Sequence, residues 1–529
     1  MNLPPRTDAL ACLRTLRAVD VLIVGGGING AGLLRELALN GVDALLIDKS
    51  DYAAGATSAS SRMIHGGLRY LENGEFRLVR ESLLERNRLL RNAPHAVLPL
   101  PTTIPVFSRW SGFANATAKF LRRSARPARR GAALIKVGLS LYDVLTARDR
   151  VLPTHRFTGR AAALRLRPQL HPDIVCTATY HDAWIPLPER LCLELIDDAL
   201  ALHPGAHALN YVSLVGATPA GDAELRDALT GETFLIRPRC VVNATGAWVD
   251  FANGSLGAPT RFIGATKGSH LVVDHPDLLA ATGGHQLFYE NEDGRICIFF
   301  PLHGRVLVGS TDLRITDPDT AICDERETDY LLESVRTVFP ALRIGREHIV
   351  SRFCGVRPLP ASDARFTGRI SRDHACRELP AAPPARPWPV LSLVGGKWTT
   401  FRAFAEQVTD RLLRELGRPR RAASHNLGIG GRSPAPDCTS PAALAAAIRH
   451  EAVVHLDDLL LRRTPLALFE RLTPARFSAL AELAGQTLGW GGTRLAAEVS
   501  RTLDLLASRH GVQLVEDTSL SAQIATPTA

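Results

Sequence analysis

Val21-Leu-Ile-Val-Gly-Gly-Gly-Ile-Asn-Gly-Ala-Gly32, a helical run, and then Ala44-Leu-Leu-Ile-Asp48 decide how the chain is read. The order is apolar strand, glycine turn, helix, second strand, acid. Gly25, Gly27 and Gly30 make the G-x-G-x-x-G spacing. The first glycine permits a sharp turn, the second lets backbone approach a pyrophosphate, and the third lets the helix pack close to the sheet. Ile28 and Asn29 open that helix, where free N–H groups and the helix dipole favour an anion. Asp48 stands 18 residues after Gly30, where a carboxylate holds a ribose diol, and Lys49 follows it. The pattern predicts a dinucleotide-binding α/β unit rather than a structural glycine turn. An acid at this place argues against NADP and leaves NAD and FAD open.

Outward from this unit, 529 residues are enough for two or three domains. Hydrophobic residues make up 46% and charged residues 22%, an ordinary globular balance. No run of about 18 residues is apolar and uncharged enough to span a bilayer. Residues 1–18 have no apolar signal-peptide core, and we expect them to be an extension before the first ordered strand. The 9 cysteines are scattered, with no C-x-x-C and no His/Cys grouping at metal spacing, which predicts buried thiols, a reducing compartment and no metal.

The net charge is +9, and the excess is uneven. From Arg86 to Tyr142 there is no Asp or Glu, and Arg122-Arg123, Arg126 and Arg129-Arg130 are interleaved with Trp110, Phe113, Phe120 and Leu121. Such a segment can lie on an anionic membrane surface; a solvated basic loop is the plainer reading. Nucleic acid is not expected, because no recognition module accompanies the charge.

Downstream, Leu209-Asn-Tyr-Val-Ser-Leu-Val215 reads as a strand containing Val212, and Asp222 to Ile236 as a hairpin with Thr230-Gly231 at its turn. Cys240-Val-Val-Asn-Ala-Thr-Gly-Ala-Trp248 is a strand and turn, which places Ala244, Gly246 and Trp248 against the cofactor. Many flavoproteins with two dinucleotide-binding halves put such a turn beside FAD. Ser269 to Val273, Arg295 to Pro301 and Arg305 to Asp312 are strand-like, and Asp324 to Phe339 has helical spacing. Val390-Leu-Ser-Leu-Val-Gly-Gly-Lys-Trp-Thr-Thr400 repeats strand, glycine turn and helix, with Gly395, Gly396, Lys397 and Thr399 near the flavin. Together these turns select FAD over NAD. The predicted fold is α/β (α+β): a Rossmann-like FAD-binding domain of the glutathione-reductase/D-amino-acid-oxidase type, an antiparallel-sheet substrate domain and a C-terminal all-α domain. The expected boundaries are FAD-binding 19–416 with a cap over about 75–200 and 260–360, linker 417–441, helical domain 442–512 and a disordered tail 513–529.

Thr57, Ser58, Ser60 and Ser61 follow the second strand, where small hydroxyls can bond a pyrophosphate or the flavin ring. Then comes Ile64-His65-Gly66-Gly67-Leu68-Arg69-Tyr70-Leu71-Glu72, with backbone suited to pack against something flat. The run from Ser60 to Glu72 resembles the signature of the FAD-dependent glycerol-3-phosphate dehydrogenases. The likeness continues at Lys267-Gly-Ser-His270, Gly309-Ser-Thr-Asp312, Gly355-Val-Arg-Pro-Leu359, Gly395 to Thr400 and Leu459-Leu-Leu-Arg-Arg-Thr464, nearly the whole chain. Departures are Arg62, where the family often has Lys, Trp398 in place of a smaller residue, a long stretch from Arg109 to Ile135, and the proline loop from Pro380 to Pro389.

The resemblance implies oxidation of glycerol 3-phosphate to dihydroxyacetone phosphate by hydride transfer to FAD. A membrane quinone would be the electron acceptor, with the protein peripheral on the cytoplasmic face of the inner membrane, in glycerol metabolism and the respiratory chain. A homodimer is a further expectation. A phosphate dianion calls for fixed cations, and arginine's planar fork suits it. Arg69, Arg357 and Arg372 are the candidates, with Tyr70, Thr311 and Asp312 placing substrate hydroxyls. Lys397 would hold a substrate oxygen or offset charge on the flavin. Loss of the hydroxyl proton needs a base, and His65 and His270 are the candidates, His65 favoured by its glycine neighbours. Alternatives are a dehydrogenase or oxidase of another polyol phosphate such as erythritol phosphate, an oxidase using oxygen, an amine or amino-acid oxidase, and a regulatory flavin binder with a retired site.

Overall fold

The computed structural model describes all residues except 69–73, 112–129, 292, 364–369, 432–434 and 516–529. Strand Ala18–Val24 lies at the centre of the first sheet, between Thr233–Asn243 and Ala44–Ile47, both parallel to it. Val390–Val394 extends the sheet on one side, and Ala206–Leu209 on the other. Val21, Leu22 and Ile23 are wholly buried, as a parallel sheet covered on both faces requires. The crossover helix Ile28–Leu39 packs against Pro188–Leu202 and Phe401–Leu416. The predicted hairpin is present: Ala223–Asp227 pairs with the start of Thr233–Asn243, and Gly231 turns with φ +75°.

Among the described residues, the second sheet has ten strands. Its strand Thr266–Val273 runs between Arg305–Gly309 and Ile349–Arg357. Successive side chains leave opposite faces of a strand, and this one shows what each face does. Leu271 and Val273 join a cluster with Leu331, Val335 and Phe339 of the helical stretch from Glu325 onward. Val272 joins the opposite cluster, and His270 stacks on Phe353. Helix Glu325–Arg336 starts at a capping box of Asp324 and Glu327.

The face carrying Val272, Phe300, Leu307 and Phe353 is covered by Leu459, Leu460, Leu466 and Phe477 of the C-terminal helical segment. Its helices include Pro441–His450, Pro474–Leu488 and Gly492–His510, with a π-helical turn at Leu459–Arg463. The stretch leading to it is tied to the first unit, where Ile429 N–H donates to the Asn92 carbonyl and Gly430 N–H to Asp198.

The first eighteen residues differ from the expected extension. Helix Arg6–Thr15 precedes the sheet, and its Leu10 and Leu13 pack with Leu22, Leu45 and Ile236. An Arg-bearing helix with only two inward leucines leaves little periodic signal. The predicted strand from Leu209 to Val215 is divided at Asn210-Tyr211, where Tyr211 takes φ +58°. Of the tail expected over 513–529, Val515 N–H donates to the Leu472 carbonyl at 3.0 Å and Leu514 packs on the helical core, while 516–529 lie outside the described residues. Among the described residues no helix is long and apolar enough to cross a membrane, and no group of three or more acidic, His or Cys side chains could hold a metal.

Candidate active site

The glycine turn is built as its spacing requires. Gly25 has φ +114°, and a Cβ there would lie 2.6 Å from the Ala244 carbonyl oxygen. A Cβ on Gly30 would lie 1.9 Å from the Gly25 carbonyl oxygen, so helix and strand approach only through glycine. Helix Ile28–Leu39 starts at Gly27 without a side-chain cap and without an acid in its first turn. Asp48 accepts Gly26 N–H at 2.7 Å and Ser50 N–H at 2.8 Å. Burial raises Asp48 to about 6, against the pull of those two bonds. Thr57 Oγ1 accepts Ile28 N–H at 3.0 Å, and Trp398 Nε1 donates to the Thr57 carbonyl at 3.0 Å. Trp398 therefore secures the hydroxyl loop.

One cavity of about 1080 Å³ joins these parts. It is lined at one end by Asp48, Lys49, Val212, Gly246 and Trp248, then by Gly25, Gly27, Ile28, Asn29, Thr57 and Ser58, with Ala244 alongside. At the other end stand Ser60, Ser61, His65, Gly67, Gly395, Gly396 and Lys397, together with His270, Asp312, Arg357 and Arg372. Lys49 lies 4.8 Å over the Trp248 ring, and Trp248 Nε1 donates to Asp319.

The cations are held rather than loose. Arg357 donates to Asp312 at 3.1 Å, Ser310 Oγ at 2.9 Å and the Thr311 carbonyl at 3.2 Å. Arg372 reaches the other Asp312 oxygen at 3.4 Å. Lys397 Nζ donates to Ser82 Oγ at 3.0 Å. His65 is pushed down to about 3, first by burial and then by Lys397, Arg372 and Arg86. His270 is pushed down to about 3, first by burial and then by Arg357 and Arg62; its Nε2 meets Ser61 Oγ at 2.8 Å. Both imidazoles are therefore neutral at physiological pH, and the empty site disfavours their protonation.

Residues 20–411 match the family described as FAD dependent oxidoreductase. The chain is 38% identical to a glycerol-3-phosphate dehydrogenase of Synechocystis sp., over 76% of this chain and 71% of that one. The chain belongs to the FAD-dependent glycerol-3-phosphate dehydrogenase family. It is 34% identical to D-erythritol 1-phosphate dehydrogenase of Brucella abortus, over 74% of this chain and 73% of that one. Among solved structures, the Bacillus halodurans glycerol-3-phosphate dehydrogenase complexed with FAD has a TM-score of 0.69 at 20% identity. That likeness covers 95% of this chain and 97% of that one, so the fold extends through the helical segment.

FAD is the cofactor of this family member, and the residues present fit it. The helix start, where Thr57 takes only the Ile28 N–H, suits a pyrophosphate, and the buried Asn29 Oδ1 without a partner suits a hydroxyl or N–H donor of the cofactor. Asp48 lines the cavity at the end of the second strand, where a carboxylate suits a ribose diol. Of the residues chosen from sequence, Gly30, Gly66, Thr311 and Thr399 stand behind the cavity wall rather than in it. Gly66 N–H donates to Tyr142 and Asp182, and Thr399 Oγ1 to the His65 carbonyl. Thr311 Oγ1 accepts Ser269 N–H and donates to Glu327, facing away from the substrate end. Arg69 and Tyr70 lie outside the described residues.

Arg62, which departs from the family pattern, is buried behind the cavity, donating to the Pro186 carbonyl and Glu189. Sequence reasoning missed Tyr142 and Asp182, whose contact with Gly66 joins segments 76 and 116 residues apart. It also missed Asp457, Arg462 and Arg501 of the helical segment, which line the same cavity. Only Arg462 belongs to a quoted motif.

Proposed function

We propose that this protein oxidises sn-glycerol 3-phosphate to dihydroxyacetone phosphate and passes the electrons to a membrane quinone. The observation that carries the reading is the meeting of Arg357, Arg372, Lys397, His65 and His270 in the cavity that the glycine turn also lines. Arg357, aimed by Asp312 and Ser310, forks onto the phosphate, and Arg372 adds a second positive charge. Lys397 steadies a substrate oxygen. FAD, when bound, takes up the hydride that leaves the central carbon. As that carbon–hydrogen pair departs, the hydroxyl proton passes to an imidazole nitrogen of His65, and the C–O bond becomes a carbonyl. A base placed in this way contributes about 10²- to 10⁴-fold in rate. The phosphate dianion offsets the cations that hold His65 down, so the imidazole is a stronger base in the loaded site than in the empty one. Arg69 and Tyr70 complete the substrate set in this reading.

A peripheral position on the inner membrane, cytoplasmic side, is supported by the basic apolar stretch from Arg109 to Ile135. The second reading is a dehydrogenase of another polyol phosphate, supported by the likeness to the D-erythritol 1-phosphate enzyme. The same cations would serve it, and only the room around the carbon chain would differ. Anaerobic mixing distinguishes the two. Glycerol 3-phosphate should bleach the yellow protein, and bleaching by erythritol phosphate alone would sink the first reading. Reoxidation by a soluble quinone analogue, faster than by oxygen, is the expected acceptor result.

A further inference from the structure

The C-terminal helical segment reaches the cofactor site through a buried cluster that cofactor binding by the first unit does not call for. Asp51, three residues after Asp48, is wholly buried and receives Arg463 Nη1 at 2.6 Å, Arg463 Nη2 at 2.8 Å and Arg462 Nε at 2.5 Å. Asn210 Nδ2 donates to the same carboxylate at 3.0 Å. Asp458 accepts from Arg462 at 2.5 Å and from Tyr211 Oη at 2.6 Å. Tyr211 N–H in turn donates to the Ser50 carbonyl at 3.0 Å, and Val212 N–H to the Asp48 carbonyl at 2.8 Å. Both arginines come from the π-helical turn Leu459–Arg463, a distortion found often at functional sites. Tyr211 is held at φ +58°, a backbone shape that a non-glycine residue keeps only when its surroundings impose it.

The two loops at the Asp48 end of the cavity, 48–51 and 210–212, are thus pinned to one another and to the helical segment. Arg462 and Asp457 also line that cavity themselves. We propose that Asp458, Arg462 and Arg463 are positioning residues of the cofactor site: the docked helical segment sets the shape of the pocket for the adenosine half of FAD. The proposal rests on placing that half at Asp48 and Val212.

The test uses the full chain stripped of flavin. Affinity for FAD is read by flavin fluorescence, affinity for ADP by calorimetry, and folding by the thermal midpoint. Tyr211→Phe removes only the hydroxyl that Asp458 holds, and Arg462→Gln leaves Arg463 on Asp51. Each should weaken ADP and FAD by about fivefold or more, the effect of one lost buried hydrogen bond. Asp48→Ala tests the placement itself. If Asp48→Ala weakens ADP while folded Tyr211→Phe and Arg462→Gln bind it as the parent does, the helical segment has no part in the site and the proposal falls. If Asp48→Ala leaves ADP affinity unchanged, the adenosine half lies elsewhere, which overturns the placement and the proposal with it. A fall in thermal midpoint with unchanged ADP affinity marks the cluster as scaffold only and also overturns it.

Discussion

Arg357 is held on one side by a carboxylate, a hydroxyl and a carbonyl, which keeps its fork aimed into the cavity without a substrate. Removing it should therefore cost binding rather than folding. For Arg357→Ala we expect KM to rise about 30-fold or more, the scale of a lost charge-assisted pair, while FAD stays bound. Loss of FAD from the purified variant would make Arg357 a structural residue. His270 gives a prediction in pH. The fold pushes it down to about 3, whereas the unfolded chain titrates it near 6.5. Below that higher value the unfolded state binds a proton that the folded state refuses. Stability then falls as the pH drops from about 6.5 and levels off near the folded value, a loss of about 2 kcal/mol at pH 5. His270→Gln should lessen the fall in thermal midpoint between pH 6.5 and 4, to which the other buried histidines still contribute, and an unchanged slope would mean that His270 charges in the fold. Both residues were readable as candidates because their chemistry suits a phosphate and a proton. Thr311 was read in the same way, yet its hydroxyl faces Glu327, since alternate residues of an extended chain face opposite ways.

At the scale of elements, the turn from Gly25 to Gly30 was legible to the residue because it is local. Each glycine answers a steric demand within a few positions of itself or from a backbone that the sheet must bring close. Gly30→Ala should abolish FAD binding, since the added methyl meets a carbonyl oxygen at 1.9 Å. Flavin content after purification checks this, and a yellow variant with a normal FAD-to-protein ratio would show that the helix shifts to make room. The hairpin at Gly231 was legible for the same reason. Helix Arg6–Thr15 was not, because its inward face is only Leu10 and Leu13, and the partners that bury them come from strands far along the chain. The break at Asn210-Tyr211 was hidden as well: apolar residues around the isolated polar Asn210 and Ser213 read as one strand, and the contacts that bend it come from residues 50 and 458.

For the whole molecule, the basic stretch has a geometry that makes its role testable. Gly131 N–H donates to the Ser111 carbonyl at 2.7 Å, so the chain leaves and returns at one point. Trp110, Val137 and Val144 beside it are 73%, 60% and 69% exposed. Replacing residues 112–129, which lie outside the described ones, by a short glycine-serine linker should leave flavin content intact and release the protein from vesicles containing anionic lipid. Unchanged vesicle binding would remove this segment as the membrane contact. What the sequence determined alone was whatever repeats or turns over short distances: the dinucleotide unit, its acid, the cofactor and the cations to be gathered. What only the tertiary structure decided was which of these side chains share one cavity. It also decided that the leucines after residue 455 cover a sheet face carried by strands between residues 266 and 357, and that two arginines of the same segment reach the loop after Asp48. The physical reason is that burial and ion pairing act between surfaces brought together by the fold, and no periodicity along the chain records which surface a face will meet.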